Sequence, residues 1–225
     1  MAIMWIILIG LMIVSFLVQA RLKNKFKKYS KVMLPSGMSG RDIALKMLHD
    51  NGIYDVEILS TPGMLTDHYN PTNKTVNLSP EVYDGRSIMA AAVAAHECGH
   101  AVQHQAGYAP VKLRSAMVPV VSFASSWVQW ILLAGIFTVQ AFPQLLLAGI
   151  VLFAFTTIFS FVTLPVEIDA SRRALVWLNS SGLTTSQSQS QASDALSAAA
   201  YTYVVAALSS LATLLYYIMI FLRRD

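Results

Sequence analysis

Two imidazoles four residues apart, with an acid beside the first, can hold a metal ion and put it to use. The run His96-Glu97-Cys98-Gly99-His100 supplies that arrangement. On an α-helix, positions i and i+4 share one face, so both rings can reach a single ion. Zinc favours such nitrogen donors, and its catalytic sites leave one coordination position for water. The bound water has a pKa near ~7, so a weak base suffices to deprotonate it. Glu97, one residue from the first histidine, is placed for that task. H-E-x-x-H on a helix is a metalloprotease signal, and it implies one zinc ion. The plain alternative is a pair of core histidines that happen to flank an acid. Burying three such side chains without partners is expensive, and the chain has only 5 histidines to spend on coincidence.

A catalytic zinc needs a third protein ligand. His104 continues the four-residue series, but on an unbroken helix it lies ~12 Å along the axis from His96. A third histidine six residues past the second would fall at position 106, which is alanine. Glu167 is the better candidate. It follows Pro165 and is predicted in the first turn of a new helix, where the alternative reading is simple stabilisation of a helix N-terminus. Asp169, two residues on, could orient a liganding histidine from behind or pair with Arg173 four residues later. Asp67 and His68, at the end of a predicted strand, could supply a proton donor or oxyanion stabiliser, or belong to a solvated turn. Cys98 points away from the ligand face and reads as packing.

The elements that carry these residues include a membrane. Hydrophobic residues make up 55% of the 225, and charged residues only 12%. A soluble domain carries roughly 25% charged residues. Four runs are apolar enough to cross a bilayer core, which takes ~20 helical residues. They are Ala2–Ala20, Val118–Val139, Leu145–Leu164 and Tyr201–Leu222. Residues 140–144 are predicted to turn tightly between the second and third, making a transmembrane hairpin. The first run lacks an N-terminal positive charge and is followed by the basic cluster Arg21 to Lys31. That is the reverse of a secretory signal, so it reads as a retained anchor. The same cluster marks a membrane flank and not a nucleic-acid surface. Residues 21–116 and 166–200 hold 14 of the 16 lysines and arginines, which places them on the cytoplasmic side. The terminal Arg223-Arg224-Asp225 would face outward, against that trend. The single cysteine excludes an internal disulfide.

Between the first two spans, Ser39-Gly-Arg-Asp42 has the form of a helix cap, with a helix over Asp42–Asp50. Strands are predicted at Ile53–Leu59, Met64–Tyr69 and Lys74–Leu78, forming a meander. Ser79-Pro80-Glu81 opens a helical region, and residues 87–105 form a largely buried helix carrying both histidines. The polar run from Thr184 to Ser193 reads as a loop.

Several motifs together resemble a known family. They are Thr66-Asp-His-Tyr-Asn-Pro71, the Leu78-Ser79 step, Arg86-Ser87, the run Val93 to His104, Leu164-Pro-Val-Glu-Ile-Asp-Ala-Ser171 and Ala198 to Tyr203. Along the whole chain they resemble the YugP-like neutral zinc metallopeptidases of bacterial membranes. The layout is also similar to the HtpX-like and CAAX-prenyl membrane gluzincins, which place H-E-x-x-H before a hairpin and a glutamate ligand after it. That resemblance implies Glu167 as third ligand. Those proteins continue with an aspartate four residues later, where this chain has Ser171, so the outer partner falls to Asp169 or Ser171. By the same analogy, Thr75–Ser79 would be an edge strand that pairs with extended peptide.

The expected architecture is a mainly α membrane protein of four transmembrane helices with a small α+β, zincin-like cytoplasmic domain. Its parts are an anchor (1–20), the metallopeptidase region (21–116, zinc helix 87–105), the hairpin (117–164), a cytoplasmic helix with polar loop (165–200) and a final span with tail (201–225). The expected function is zinc-dependent cleavage of a peptide or membrane-protein substrate at the cytoplasmic face of the bacterial inner membrane. Two rivals stay open: an intramembrane-cleaving metalloprotease and an inactive zinc-containing membrane adaptor. Substrate identity and oligomeric state are not encoded legibly.

Overall fold

The computed structural model describes residues 2–223, with side chains from Met4, so Met1, Arg224 and Asp225 of the predicted tail lie outside the described residues. In chain order the elements are α1 (Ala2–Tyr29), α2 (Gly40–Asp50), β1 (Glu57–Ser60), β2 (His68–Asn70), β3 (Thr75–Leu78), α3 (Pro80–Tyr83), α4 (Ile88–Gln105), α5 (Ala109–Phe137), α6 (Pro143–Ser180) and α7 (Ser186–Leu222). Four of these, α1, α5, α6 and α7, are long and apolar enough to cross a membrane. All four are longer than the predicted spans, although α5 ends at Phe137, short of the predicted Val139.

Two corrections follow from that length. Pro165 does not begin a new helix: α6 runs through it to Ser180, as α5 runs through Pro119. Proline removes one backbone donor from the ladder, yet long apolar helices tolerate it because neighbouring groups re-satisfy the freed carbonyl. Nor is the polar run from Thr184 a loop. Thr185 and Ser188 exchange side-chain and backbone hydrogen bonds at the mouth of α7, and the helix begins at Ser186. Such hydroxyl caps suit a helix start.

The chain divides into two compact units. One comprises residues 1–18, 112–164 and 202–225. Its core is built from Val128 and Leu132 of α5 and Leu146 and Ile150 of α6, with Leu214, Tyr217 and Ile218 of α7 packed against them. The α5–α6 hairpin closes tightly because Gly135 lacks a side chain. A Cβ there would lie 2.6 Å from the Leu146 Cα.

The other unit comprises residues 19–111 and 165–201. Its three strands are shorter than predicted and do not form a meander. Their order is β1-β3-β2, with β3 parallel to β1 and antiparallel to β2. Thr75–Leu78 is therefore the central strand, both its sides already paired, and the expectation of a free peptide-binding edge there is wrong. The burial follows this order: Val76 and Leu78 of β3 are fully buried, whereas β1 is largely exposed. The core of this unit joins α2 (Ile43, Met47, Leu48) to α4 (Ala91, Ala95, Cys98) and to Ala174 and Leu178 of α6. The small alanines of α4 let its neighbours close in on all sides.

Candidate metal centre

The S-x-x-D cap predicted before α2 and the Ser87 cap of α4 both form. Ser87 Oγ accepts from Ala90 N, which fixes where α4 starts and hence which face His96 and His100 share. Their rings lie 4.8 Å apart, edge to face. Across from them α6 presents Glu167. The three residues offer ligand atoms that all lie within 4.8 Å of one another. Glu167 Oε2 is 3.3 Å from His96 Nε2 and 3.6 Å from His100 Nε2. Donors placed tetrahedrally at ~2.0–2.2 Å from one ion are spaced ~3.3–3.6 Å apart. The donor set thus fits zinc in type, and the two distances from Glu167 fit it in spacing.

The far nitrogens of both rings are occupied, which decides what the near ones can do. Gln103, fully buried, donates its Nε2 to the Val166 carbonyl at 2.8 Å and to Asp169 Oδ2 at 3.0 Å. Two acceptors fix the amide orientation, so Oε1 must face His100 Nδ1, 3.1 Å away. An acceptor there requires that Nδ1 carry the proton, so in the neutral ring it is the Nε2 lone pair that faces Glu167. His96 Nδ1 lies 3.1 Å from Ser171 Oγ. With Nδ1 donating to this hydroxyl, His96 Nε2 is likewise a lone-pair donor. Burial lowers the His100 pKa, but hydrogen bonding and the nearby Glu167 and Glu97 charges outweigh it, so the value lies above the ordinary one. This is the charge logic of a site that attracts a cation.

The remaining candidates sort clearly. Asp169 does both things open to it: it accepts from Gln103 behind His100 and pairs with Arg172 and Arg173. Arg173 in turn lies over the Tyr108 ring. Asp67 and His68 are engaged elsewhere. Asp67 accepts from the backbone and hydroxyl of Ser79, and the exposed His68 turns its Nδ1 to the Thr66 carbonyl. The neighbour that reaches the site is Tyr69, whose backbone N–H donates to Glu97 Oε2 at 3.0 Å. Its hydroxyl meets His104 Nδ1 at 3.1 Å, so His104 stands apart from the donor cluster. Cys98 is fully buried against the Ala44 carbonyl, and burial pushes its thiol far up. Gln103 and Tyr69 carry the contacts that the sequence reading missed. For Gln103 a signal existed: a polar side chain three residues past His100, on a helix predicted to be largely buried.

Long apolar helices with a clustered His-His-Glu donor set define a membrane protein with a potential metal site. The chain belongs to the family described as "Putative neutral zinc metallopeptidase", whose model matches residues 4–222. It is similar to the "Putative membrane protease YugP" of Bacillus subtilis (strain 168), at 46% identity over 209 residues, covering 93% of this chain and 92% of that relative. No solved structure matches the chain.

Proposed function

We propose that this chain is a zinc endopeptidase that cleaves peptide bonds at the cytoplasmic surface of the bacterial inner membrane. His96, His100 and Glu167 would hold one ion, which when bound supplies Lewis-acid polarisation of the scissile carbonyl and a readily deprotonated water. The observation that carries this reading is the paired outer support. Gln103 and Ser171 occupy the far nitrogens of both histidines, so that both near nitrogens converge with Glu167. Simple core histidines have no need of that convergence.

Glu97 is the general base. Its carboxylate is held by the Tyr69 N–H, which fixes one oxygen and leaves the other to take a proton from water. The same group then passes the proton to the leaving amine. Tyr69 sits on β2, an outer strand of the sheet and the one beside Glu97, so β2 replaces β3 as the strand nearest an extended substrate. The distribution of lysine and arginine supports a cytoplasmic site, and the long apolar helices support substrates drawn from the bilayer or its surface.

The test uses the full-length protein purified in detergent. Metal content by mass spectrometry should approach one zinc per chain, and casein or a membrane-protein fragment should be cleaved. Glu97→Gln should retain zinc and lose cleavage by about 100-fold or more. Unchanged cleavage by Glu97→Gln overturns the assignment of the base, and absence of zinc from the parent overturns the site.

A further inference from the structure

Beside the sheet, on the membrane-flanking part of α1, lies a second cavity unrelated to the His-His-Glu cluster. Its volume is about 590 Å³, within the size range of small-molecule sites. Lys23, Lys27, Lys31 and Arg86 line it, against a single carboxylate, Glu81. The lysines recur every four residues, so they rise along one side of the chain as it leaves the apolar run. All three are exposed, and among the described residues none forms an ion pair. Lys25, between them, is different: it pairs with Asp194 and is turned out of the cavity.

The rest of the lining is apolar. Phe26 is buried at the base, while Met33, Met64 and Leu65 stand exposed at 65%, 57% and 38%. Leu65 holds a φ of 60°, a left-handed conformation that bulky residues rarely adopt and that clusters at ligand clamps. Unmatched cations beside exposed apolar side chains describe a receptor for an amphiphilic anion.

We propose that this cavity binds an anionic phospholipid, its phosphate held by Lys23, Lys27 and Lys31 and its glycerol and upper acyl carbons laid against Met33, Met64 and Leu65. Position along α1 selects a lipid over a soluble anion. At 1.5 Å per residue, Lys23 lies ~4–5 Å and Lys27 ~10 Å beyond Ala20, the end of the apolar run. A headgroup layer is roughly 5–7 Å thick on each side of the hydrocarbon. Lys23 therefore stands at the depth where phosphates reside, and Lys27 just beyond it on a side chain long enough to reach back. This inference stands on charge and shape at α1 and is independent of the metallopeptidase reading.

Native mass spectrometry of the full-length protein, released from detergent and titrated with phosphatidylglycerol or phosphatidylcholine, tests it. The parent should retain phosphatidylglycerol at about tenfold lower concentration than phosphatidylcholine. Lys23→Gln with Lys27→Gln should erase that preference, and Lys23→Arg with Lys27→Arg should keep it. Arg21→Gln with Lys28→Gln removes the same charge from the same helix outside the cavity, and should leave the preference intact. Equal losses in the two glutamine pairs would reduce the effect to diffuse surface charge and overturn the site. So would displacement of the lipid by an acidic decapeptide at comparable concentration, which would assign the cavity to a peptide segment.

Discussion

Gly99 of α4 lies against the backbone of Ala170 on α6 so closely that a Cβ on the glycine would sit 2.6 Å from the Ala170 carbonyl oxygen. Neither helix can yield at this point, because the clash is with backbone and not with the end of a flexible side chain. The contact stands one residue before His100 and three after Glu167, so the missing side chain sets the distance between the donors on the two helices. Gly99→Ala is expected to force the helices apart, costing about 1–3 kcal/mol of stability from overpacking and weakening zinc binding. Gly10→Ala, whose new methyl meets nothing within 4 Å, should do neither. Thermal unfolding and a zinc-chelator competition on both variants check this. Equal zinc affinity for the two would show that the helix approach does not set the site.

Gln103 is expected to act through His100 and not on substrate. Replacement by leucine keeps the volume but strips His100 Nδ1, Asp169 and the Val166 carbonyl of their shared partner. Outer partners of metal-binding histidines are typically worth about 10–100-fold in metal affinity. Gln103→Leu should therefore release zinc at about 10–100-fold lower chelator concentration. Gln103→Asn, too short to span both helices, should resemble leucine. A purely structural glutamine would lower the unfolding temperature while leaving the chelator titration unchanged.

What the sequence made legible, and what it hid, divides by the range of the interaction. His96 with His100 follows the i, i+4 rule of a helix, so that pair could be placed from spacing alone, whereas Ser171 came into view only through the resemblance to the gluzincins. The cap at Ser39 was equally plain, because capping is local chemistry. Strand order was not: β3 lies between β1 and β2 through pairings that depend on which strand is most buried, and short strands leave little alternation to read. Pro165 misled for a related reason. It is a reliable stop in water, but within a long apolar helix the cost of leaving several backbone groups bare exceeds the cost of losing one hydrogen bond. Gln103 was half legible: a polar side chain one turn past His100 could be seen, but its other partners, Val166 and Asp169, come from α6, more than sixty residues away.

The capping box before α2 predicts a pH dependence. Ser39 donates its hydroxyl and its backbone N–H to the Asp42 carboxylate, which holds that carboxyl below its ordinary pKa. A lowered folded-state value means that the stabilisation is complete above the unfolded pKa, about 3.9, and is lost as pH falls through the folded value. Ser39→Ala should cost about 0.5–2 kcal/mol at neutral pH. The gap between parent and variant should narrow below about pH 4. Unfolding midpoints in detergent from pH 7 to pH 3 read this directly. A gap that stays constant or widens in acid contradicts the assigned linkage.

Ser171 offers the most discriminating substitution, because it stands where the gluzincins that this layout resembles carry aspartate. Its hydroxyl is 3.1 Å from His96 Nδ1, so in the tautomer that frees Nε2 for a metal it serves as a neutral and weaker acceptor. Ser171→Ala deletes that acceptor and should lower zinc affinity about tenfold or more, with little change in folding, since a half-buried hydroxyl is replaced by a small apolar group. Ser171→Asp puts a charged acceptor on the same nitrogen, and charge-assisted hydrogen bonds are roughly twice as strong as neutral ones. The aspartate variant should therefore bind zinc at least as tightly as the parent and clearly more tightly than alanine. Chelator competition ranks the three. If aspartate proves as weak as alanine, the contact with His96 orients nothing, and the ring must be held by packing against His100 alone.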